Sequence, residues 1–310
     1  MMLGVRQLSL PFLPLHVTLG VKPGRVYAMF ANCAAIHDLS CYAKSSLTVV
    51  SPILEAMGVE ACPVPTALLS TQTDGFPDYS FQDLTDDMKD VFAHWNRIGL
   101  SFDAVYTGFL GSSRQVSLVS DFIESQRHAS HPLVLVDPVL GDGGSPYGPM
   151  EDSLIQRMRS LVALADVITP NTTETSLLLG HEWSTTDSVD SVRSRAKALA
   201  TLGPRRVVIT SVSLADSDER CSVAWYDQDR EDFGVFSHER VPVSYPGSGD
   251  LFASLLCGQL LWGLPFPDAV RQAALWVARA VERTSALGYP YRHGVCPSAV
   301  IPDVVSRRPW

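Results

Sequence analysis

The chain has 310 residues, with 24 Lys and Arg against 33 Asp and Glu, a formal charge of −9 and 46% hydrophobic content. This is globular composition rather than the low-hydrophobicity, high-charge profile of disorder, and its acidic balance excludes a general nucleic-acid binder, which needs a basic stripe. No run approaches the roughly 18 apolar residues of a spanning helix, so neither nucleic acid nor membrane is an expected partner.

Residues 1–24 carry Arg6 before an apolar run that Pro11, Pro14 and His16 interrupt, with no small-residue cleavage site after it. They read as an N-terminal extension, disordered or the product of an early start codon, ahead of one domain over 25–310. Arg25–Ala31 is apolar and strand-like, and a polar loop follows from Asn32. Leu47, Val50, Ile53, Leu54 and Met57 fall at helical spacing, with Gly58 as the stop. Val59–Val64 is a second strand, and TQTDGFPDYS (71–80) a turn-rich loop. Thr85 is placed to cap a helix running to about Ile98.

Asp103–Thr107 is then a short strand, and Ser113 to about Gln126 a helix. The uninterrupted LVLV of Leu133–Val136 reads as a strand buried in a parallel sheet. Helix 151–164, strand Asp166–Thr169, a short helix after Pro170, helix 189–201 and strand Arg206–Thr210 continue the alternation. Ser222–Tyr226 and Val235–Val241 follow without an intervening helix, which predicts an antiparallel edge. Helices Ser248–Leu261 and Pro267–Thr284 end the series. The expected fold is therefore α/β: a mostly parallel central sheet with helices on both faces. In such sheets ligands bind beyond the carboxyl ends of the strands. The six cysteines are scattered and form no C-x-x-C pair, as expected of reduced thiols in a cytoplasmic protein.

Four motifs fall in the loops which that rule selects. In Pro246-Gly247-Ser248-Gly249-Asp250, glycines let backbone N–H groups turn toward one point at a helix N-terminus, an anion pocket with a carboxylate beside it. Asp250 then suits a general base, or merely caps the helix. No Walker A pattern is present. Asp137, at the end of the buried strand, needs a partner or a metal, and the Gly141–Tyr147 stretch after it reads as a flap, with a plain turn as the alternative. Asn171 and Glu174 have capping-box spacing; the functional reading puts Glu174 near phosphates and Mg²⁺. His37 and Asp38 suit recognition of a polar ring, although a lone histidine is more often structural and His37 is not read as catalytic.

Taken in order, IHDLSCYAKSSLT (36–48), LLSTQTDGF (68–76), TGFLGS (107–112), VDPVLGDGG (136–144), ITPNTTE (168–174), VVITSV (207–212) and PGSGDLFA (246–253) resemble the ribokinase-like superfamily. The similarity is greatest to the vitamin B6 kinases, with hydroxymethylpyrimidine kinases next. That resemblance implies ATP-dependent phosphorylation of a hydroxymethyl group on pyridoxal, pyridoxamine or pyridoxine. Asp250 would be the base, with Gly247, Ser248 and Gly249 as the anion hole. Asp137 and Glu174 would hold Mg²⁺. Asp137, Asn171, Glu174, Thr210, Ser211 and Val243 would serve ATP, and Asp38, Thr73, Phe109 and Tyr147 the vitamer. A homodimer that uses Mg²⁺ and a monovalent cation, K⁺, is also implied. Cys41 and Ala43 stand where related sequences often have glycine. Alternatives are a hydroxymethylpyrimidine kinase of thiamine synthesis, a non-catalytic B6-vitamer sensor, and another ATP user on a similar sheet.

Overall fold

A computed structural model describes residues 31–148, 152–215 and 219–309. The expected extension over 1–24 and most of the Arg25–Ala31 strand lie outside the described residues. The elements are β1 (Ala31–Ser40), α1 (Leu47–Ala56), β2 (Val59–Leu69), β3 (Phe81–Asp83), α2 (Thr85–Arg97), β4 (Ala104–Thr107), α3 (Ser113–Ala129) and β5 (Leu133–Val136). A hairpin, β6 (Gly141–Asp142) and β7 (Ser145–Pro146), precedes α4 (Asp152–Val162), β8 (Val167–Ile168), α5 (Thr172–Leu179), α6 (Val189–Ala200) and β9 (Arg206–Val212). The chain closes with β10 (Arg220–Asp227), β11 (Asp232–Glu239), α7 (Ser248–Leu261), α8 (Phe266–Ala286) and α9 (Ile301–Val305).

Among the described residues, nine strands form one sheet in the order β11-β10-β9-β8-β5-β4-β1-β2-β3. The six strands from β9 to β2 run parallel. Both edges are antiparallel: β9-β10-β11 on one side and β2-β3 on the other. The first edge is the expected one. The second lies in a three-residue strand too short to show a period-two pattern.

Alternation along the central strands separates two cores. Cys33, Ala35, Tyr106, Leu135, Val167 and Val208 face α1, α7 and α8. Ala34, Ile36, Val105, Val134, Val136, Ile168 and Val207 face α2 to α6. Each face thus buries a continuous apolar layer, the driving force for helices on both sides.

Three local expectations are corrected. The loop expected from Asn32 to Ser40 is strand β1. Its small residues Cys33–Ile36 are fully buried, and polar Asn32 is satisfied across the sheet, where Asp103 N–H donates to Asn32 Oδ1 at 2.9 Å. The strand expected to stop at Val64 continues to Leu69 through Pro63 and Pro65, with β1 alongside. Thr85 is the first helical residue of α2 rather than its cap, and its N–H donates to Asp83 Oδ1 at 2.9 Å. Gly58 does end α1, at φ +70°.

Candidate active site

The sheet brings the motif residues to its carboxyl-terminal edge. Asp38 lies near the end of β1, Asp137 just after β5, Asn171 and Glu174 after β8, and Thr210 and Ser211 within the last turns of β9. The 247–250 motif opens α7. Gly247 is the N-cap at φ +81°, and a side chain there would meet Lys44 O at 2.8 Å, so both backbone and space require glycine. No side chain caps this helix. Leu251 N–H already bonds Gly247 O at 2.9 Å, while Gly249 and Asp250 N–H point out of the first turn as orphan donors. The helix dipole adds positive potential there. Such an uncapped helix start is suited to an anion.

Asp250 stands at its rim, partly buried. Ser46 N–H donates to Asp250 Oδ2 at 2.8 Å. Burial, with the charges of Asp137 and Asp38 added, pushes the Asp250 carboxyl up to about 8 despite that hydrogen bond. Asp137 is buried; Thr169 Oγ1 donates to its Oδ1 at 3.0 Å, and its Oδ2 lies 4.0 Å from where a Cβ on Gly249 would stand. Burial pushes Asp137 up to about 7. Glu174 sits well above the usual carboxylate range, from burial first and then from the Asp137 charge. The expected capping box forms: Asn171 N–H donates to Glu174 Oε2 at 2.8 Å, and Glu174 N–H to Asn171 Oδ1 at 2.9 Å. Glu174 does more than cap, because Leu140 N–H donates to its Oε1 at 3.1 Å and ties it to the flap.

The flap is the β6-β7 hairpin. Asn171 Nδ2 donates to Gly141 O at 2.8 Å, and Gly144 N–H to Thr173 Oγ1 at 2.9 Å. Gly144, at φ +84°, lies so close to Trp183 that a Cβ would stand 2.4 Å from the ring. Tyr147, at the hairpin's far end, is exposed, and its N–H bonds Leu140 O.

On the other side of Asp250, Asp38 is buried, and burial raises its carboxyl. Ser46 Oγ donates to Asp38 Oδ1 at 2.5 Å and Ser40 Oγ to Oδ2 at 3.3 Å. Phe109 is half-buried, and its carbonyl accepts from Thr66 Oγ1 at 3.0 Å. His37 is fully buried, edge-on to Tyr106, and desolvation lowers it to about 3, so its imidazole is neutral and no base at neutral pH. Thr210 pairs with Asn171 across β9 and the β8 end, and Ser211 adopts φ +57°. Thr73 and Val243 are exposed, and among the described residues no side-chain hydrogen bond joins either to the carboxylates.

Four buried or half-buried carboxylates with raised affinities for protons, and no basic partner among their hydrogen bonds, describe a site short of positive charge. Among the described residues no group of three or more His, Cys, Asp or Glu is arranged to hold a metal ion. A Mg²⁺ ion needs no such cage: one or two carboxylates, waters and substrate phosphates complete its shell. The oxygen pair Asp137 and Glu174 fits that chemistry.

Sequence reasoning missed Ser46, Thr169, Tyr106 and Trp183. Tyr106 Oη and Ser254 Oγ both donate to the Asp250 carbonyl, at 3.3 and 2.6 Å. It also missed the segment 289–294, which packs on the loops holding Lys44, Gln72 and Asp74. There Lys44 N–H donates to His293 O at 2.9 Å, Gln72 Nε2 to Arg292 O at 2.9 Å, and Tyr291 Oη to Asp74.

A ribokinase-like sheet with an anion cradle and an adjacent carboxylate defines a class of small-molecule phosphotransferases. Residues 53–296 match the phosphomethylpyrimidine kinase family, and the chain belongs to it. The pyridoxine/pyridoxal/pyridoxamine kinase of Bordetella bronchiseptica is 30% identical over 83% of this chain and 90% of its own length. The hydroxymethylpyrimidine/phosphomethylpyrimidine kinase of Mycobacterium bovis is 32% identical over 75% and 81%. A Bacteroides thetaiotaomicron protein, provisionally assigned as a phosphomethylpyrimidine kinase and crystallised with pyridoxal, is 38% identical. It superposes with a TM-score of 0.84 over 89% of this chain and 96% of its own. Among the described residues no helix is long and apolar enough to cross a membrane, and all six cysteines are free.

Proposed function

We propose that the protein phosphorylates the 5′-hydroxymethyl group of a B6 vitamer with ATP. The observation that carries this reading is the pairing of an uncapped helix N-terminus with Asp250, a carboxylate held at its rim by the Ser46 N–H at 2.8 Å. The vitamer ring lies against Asp38 and Phe109, with Thr73 and Tyr147 at the mouth. Asp250 takes the hydroxyl proton as the oxygen attacks the γ-phosphorus and the bond to the ADP oxygen breaks. Gly247–Gly249 backbone N–H groups receive the charge that spreads over the transferring group. Asn171, Thr210, Ser211 and Val243 line the nucleotide side. Asp137 and Glu174 hold Mg²⁺, which supplies charge neutralisation of the phosphates when bound. The flap excludes water from the transfer.

The pyridoxal in the crystals of the Bacteroides protein supports a pyridine substrate. The mycobacterial relative supports a second reading, hydroxymethylpyrimidine as acceptor through the same chemistry. One or two polar contacts are enough to set that choice. The homodimer, K⁺ dependence and cytoplasmic location belong to the same proposal; sedimentation, K⁺ titration and cell fractionation test them.

The deciding experiment is ADP release with Mg·ATP and pyridoxal, pyridoxamine, pyridoxine or hydroxymethylpyrimidine, with products identified by mass. Turnover confined to B6 vitamers upholds the proposal. Turnover confined to the pyrimidine replaces the substrate and keeps the mechanism. Binding without turnover leaves a sensor and removes Asp250 from the role of base.

A further inference from the structure

Ser46 occupies a position whose local rules it breaks three times. It is the N-cap of α1, where serine ordinarily turns its oxygen to the helix N–H groups, yet its side chain makes no such hydrogen bond. Its backbone is at φ +48° and ψ −129°, a region that glycine favours and a β-carbon disfavours. It is buried, in a loop that leads from the sheet edge into a helix. A serine kept in such a place does something that neither glycine nor a capping residue does.

What it does is bridge. The hydroxyl that forgoes the cap donates to Asp38 Oδ1 at 2.5 Å. The N–H of the same residue donates to Asp250 Oδ2 at 2.8 Å, between positions 204 apart in the chain. Ser40 Oγ fixes the second oxygen of Asp38, and Ser45 Oγ donates to Ser40 Oγ at 3.2 Å, so the Asp38 side of the bridge is braced. The strained backbone of Ser46 is what aims both donors in different directions at once.

Resting on the phosphotransfer reading above, we propose that Ser46 is a positioning residue. It locks the carboxylate that meets the acceptor ring and the carboxylate that takes the acceptor's proton into one geometry, and so links acceptor binding to turnover. Removing the hydroxyl frees the 45–46 peptide to relax, and the N–H then leaves Asp250.

The test compares wild type with Ser46→Gly and Ser46→Ala in the full-length protein. Glycine suits φ +48°, so Ser46→Gly is expected to resist thermal unfolding at least as well as wild type. Its kcat/KM for the preferred acceptor is expected to fall about tenfold or more, through lower kcat and higher acceptor KM, because a hydrogen bond to a charged group is lost. Its KM for ATP is expected to stay within about twofold, since the bridge lies on the acceptor side. Ser46→Ala should show the same kinetic loss with lower stability, and it carries the test if the glycine variant folds poorly. Unchanged acceptor kcat/KM in a folded variant overturns the inference, as does an equal rise in KM for ATP, which signals general distortion. Absence of turnover in wild type with every acceptor overturns the phosphotransfer reading itself, and that result is read without any variant.

Discussion

Replacing Asp250 by Asn should make the protein more stable and nearly inactive. The carboxyl rises from its ordinary 3.8 to about 8 in the folded chain. The folded state therefore holds this proton more tightly than the unfolded state, and stability falls as pH rises from about 4 to about 8. At about 1.4 kcal/mol per pH unit, the full window corresponds to roughly 6 kcal/mol. Asp250 keeps some solvent access, and screening reduces this to roughly 2 kcal/mol. Asparagine keeps an oxygen for the Ser46 N–H and cannot ionise. The gain in Asp250→Asn over wild type should thus grow between pH 5 and pH 8, three quarters of that window, by roughly 1.5 kcal/mol, a shift of a few degrees in Tm. Denaturant titrations at several pH values measure that slope, and ADP release measures the loss, expected at about 100-fold or more. Greater stability with lower activity is the signature of a group retained for chemistry. An identical pH slope in variant and wild type would refute the electrostatic argument, and retained turnover would refute the assignment of the base.

The same titration governs the rate. With deprotonated Asp250 as the active form, kcat/KM for the acceptor should rise with pH and level off above about 8, and a limb falling through that range would contradict the assignment. Ala43 adopts φ +67°, so Ala43→Gly should stabilise the chain by about 1 kcal/mol, read from the denaturation midpoint; a destabilised variant would show that the methyl contributes packing. Gly144→Ala places a methyl against the Trp183 ring, and should lower kcat by displacing the flap, with Trp183→Ala in the same chain restoring part of it. Glu174→Gln should raise the Mg²⁺ concentration needed for half-maximal rate several-fold, which a Mg²⁺ titration of ADP release reads.

Much of this architecture is legible in the residues because hydrophobic pattern and parallel-sheet physics agree. LVLV at Leu133–Val136 is strand β5 with the bounds its apolar run marks, and Gly58 and Asn171 sit at the helix ends that their chemistry suits. Polarity misleads where function overrides pattern. His37, Asp38 and Ser40 look like loop, yet they are strand residues: His37 packs edge-on against Tyr106, and Ser40 donates to Asp38 beside Asp250. The carboxylates were visible as types at the ends of elements. The hydrogen bonds that hold them were not, because two of these run through backbone groups, the Ser46 N–H to Asp250 and the Leu140 N–H to Glu174, which carry no side-chain signature. Trp183 and the 289–294 segment lie far along the chain from what they cover, and a single sequence gives no sign of contacts between distant segments.

The 204-position span between Ser46 and Asp250 also orders events during synthesis. β1, β2, β4 and β5 are all made before α7, and domains begin folding from the amino-terminal side as the chain emerges. A nascent chain that ends before Asp250 already contains all six parallel strands and the loops around Asp38 and Ser46, but it lacks most of α7 and the proposed base. Docking of α7 against Lys44 closes one long loop of the site, and the Lys44–His293 hydrogen bond closes a longer one still; such late, non-local contacts form slowly. On the proposed mechanism, catalytic competence is therefore expected only once the chain has been made through α7.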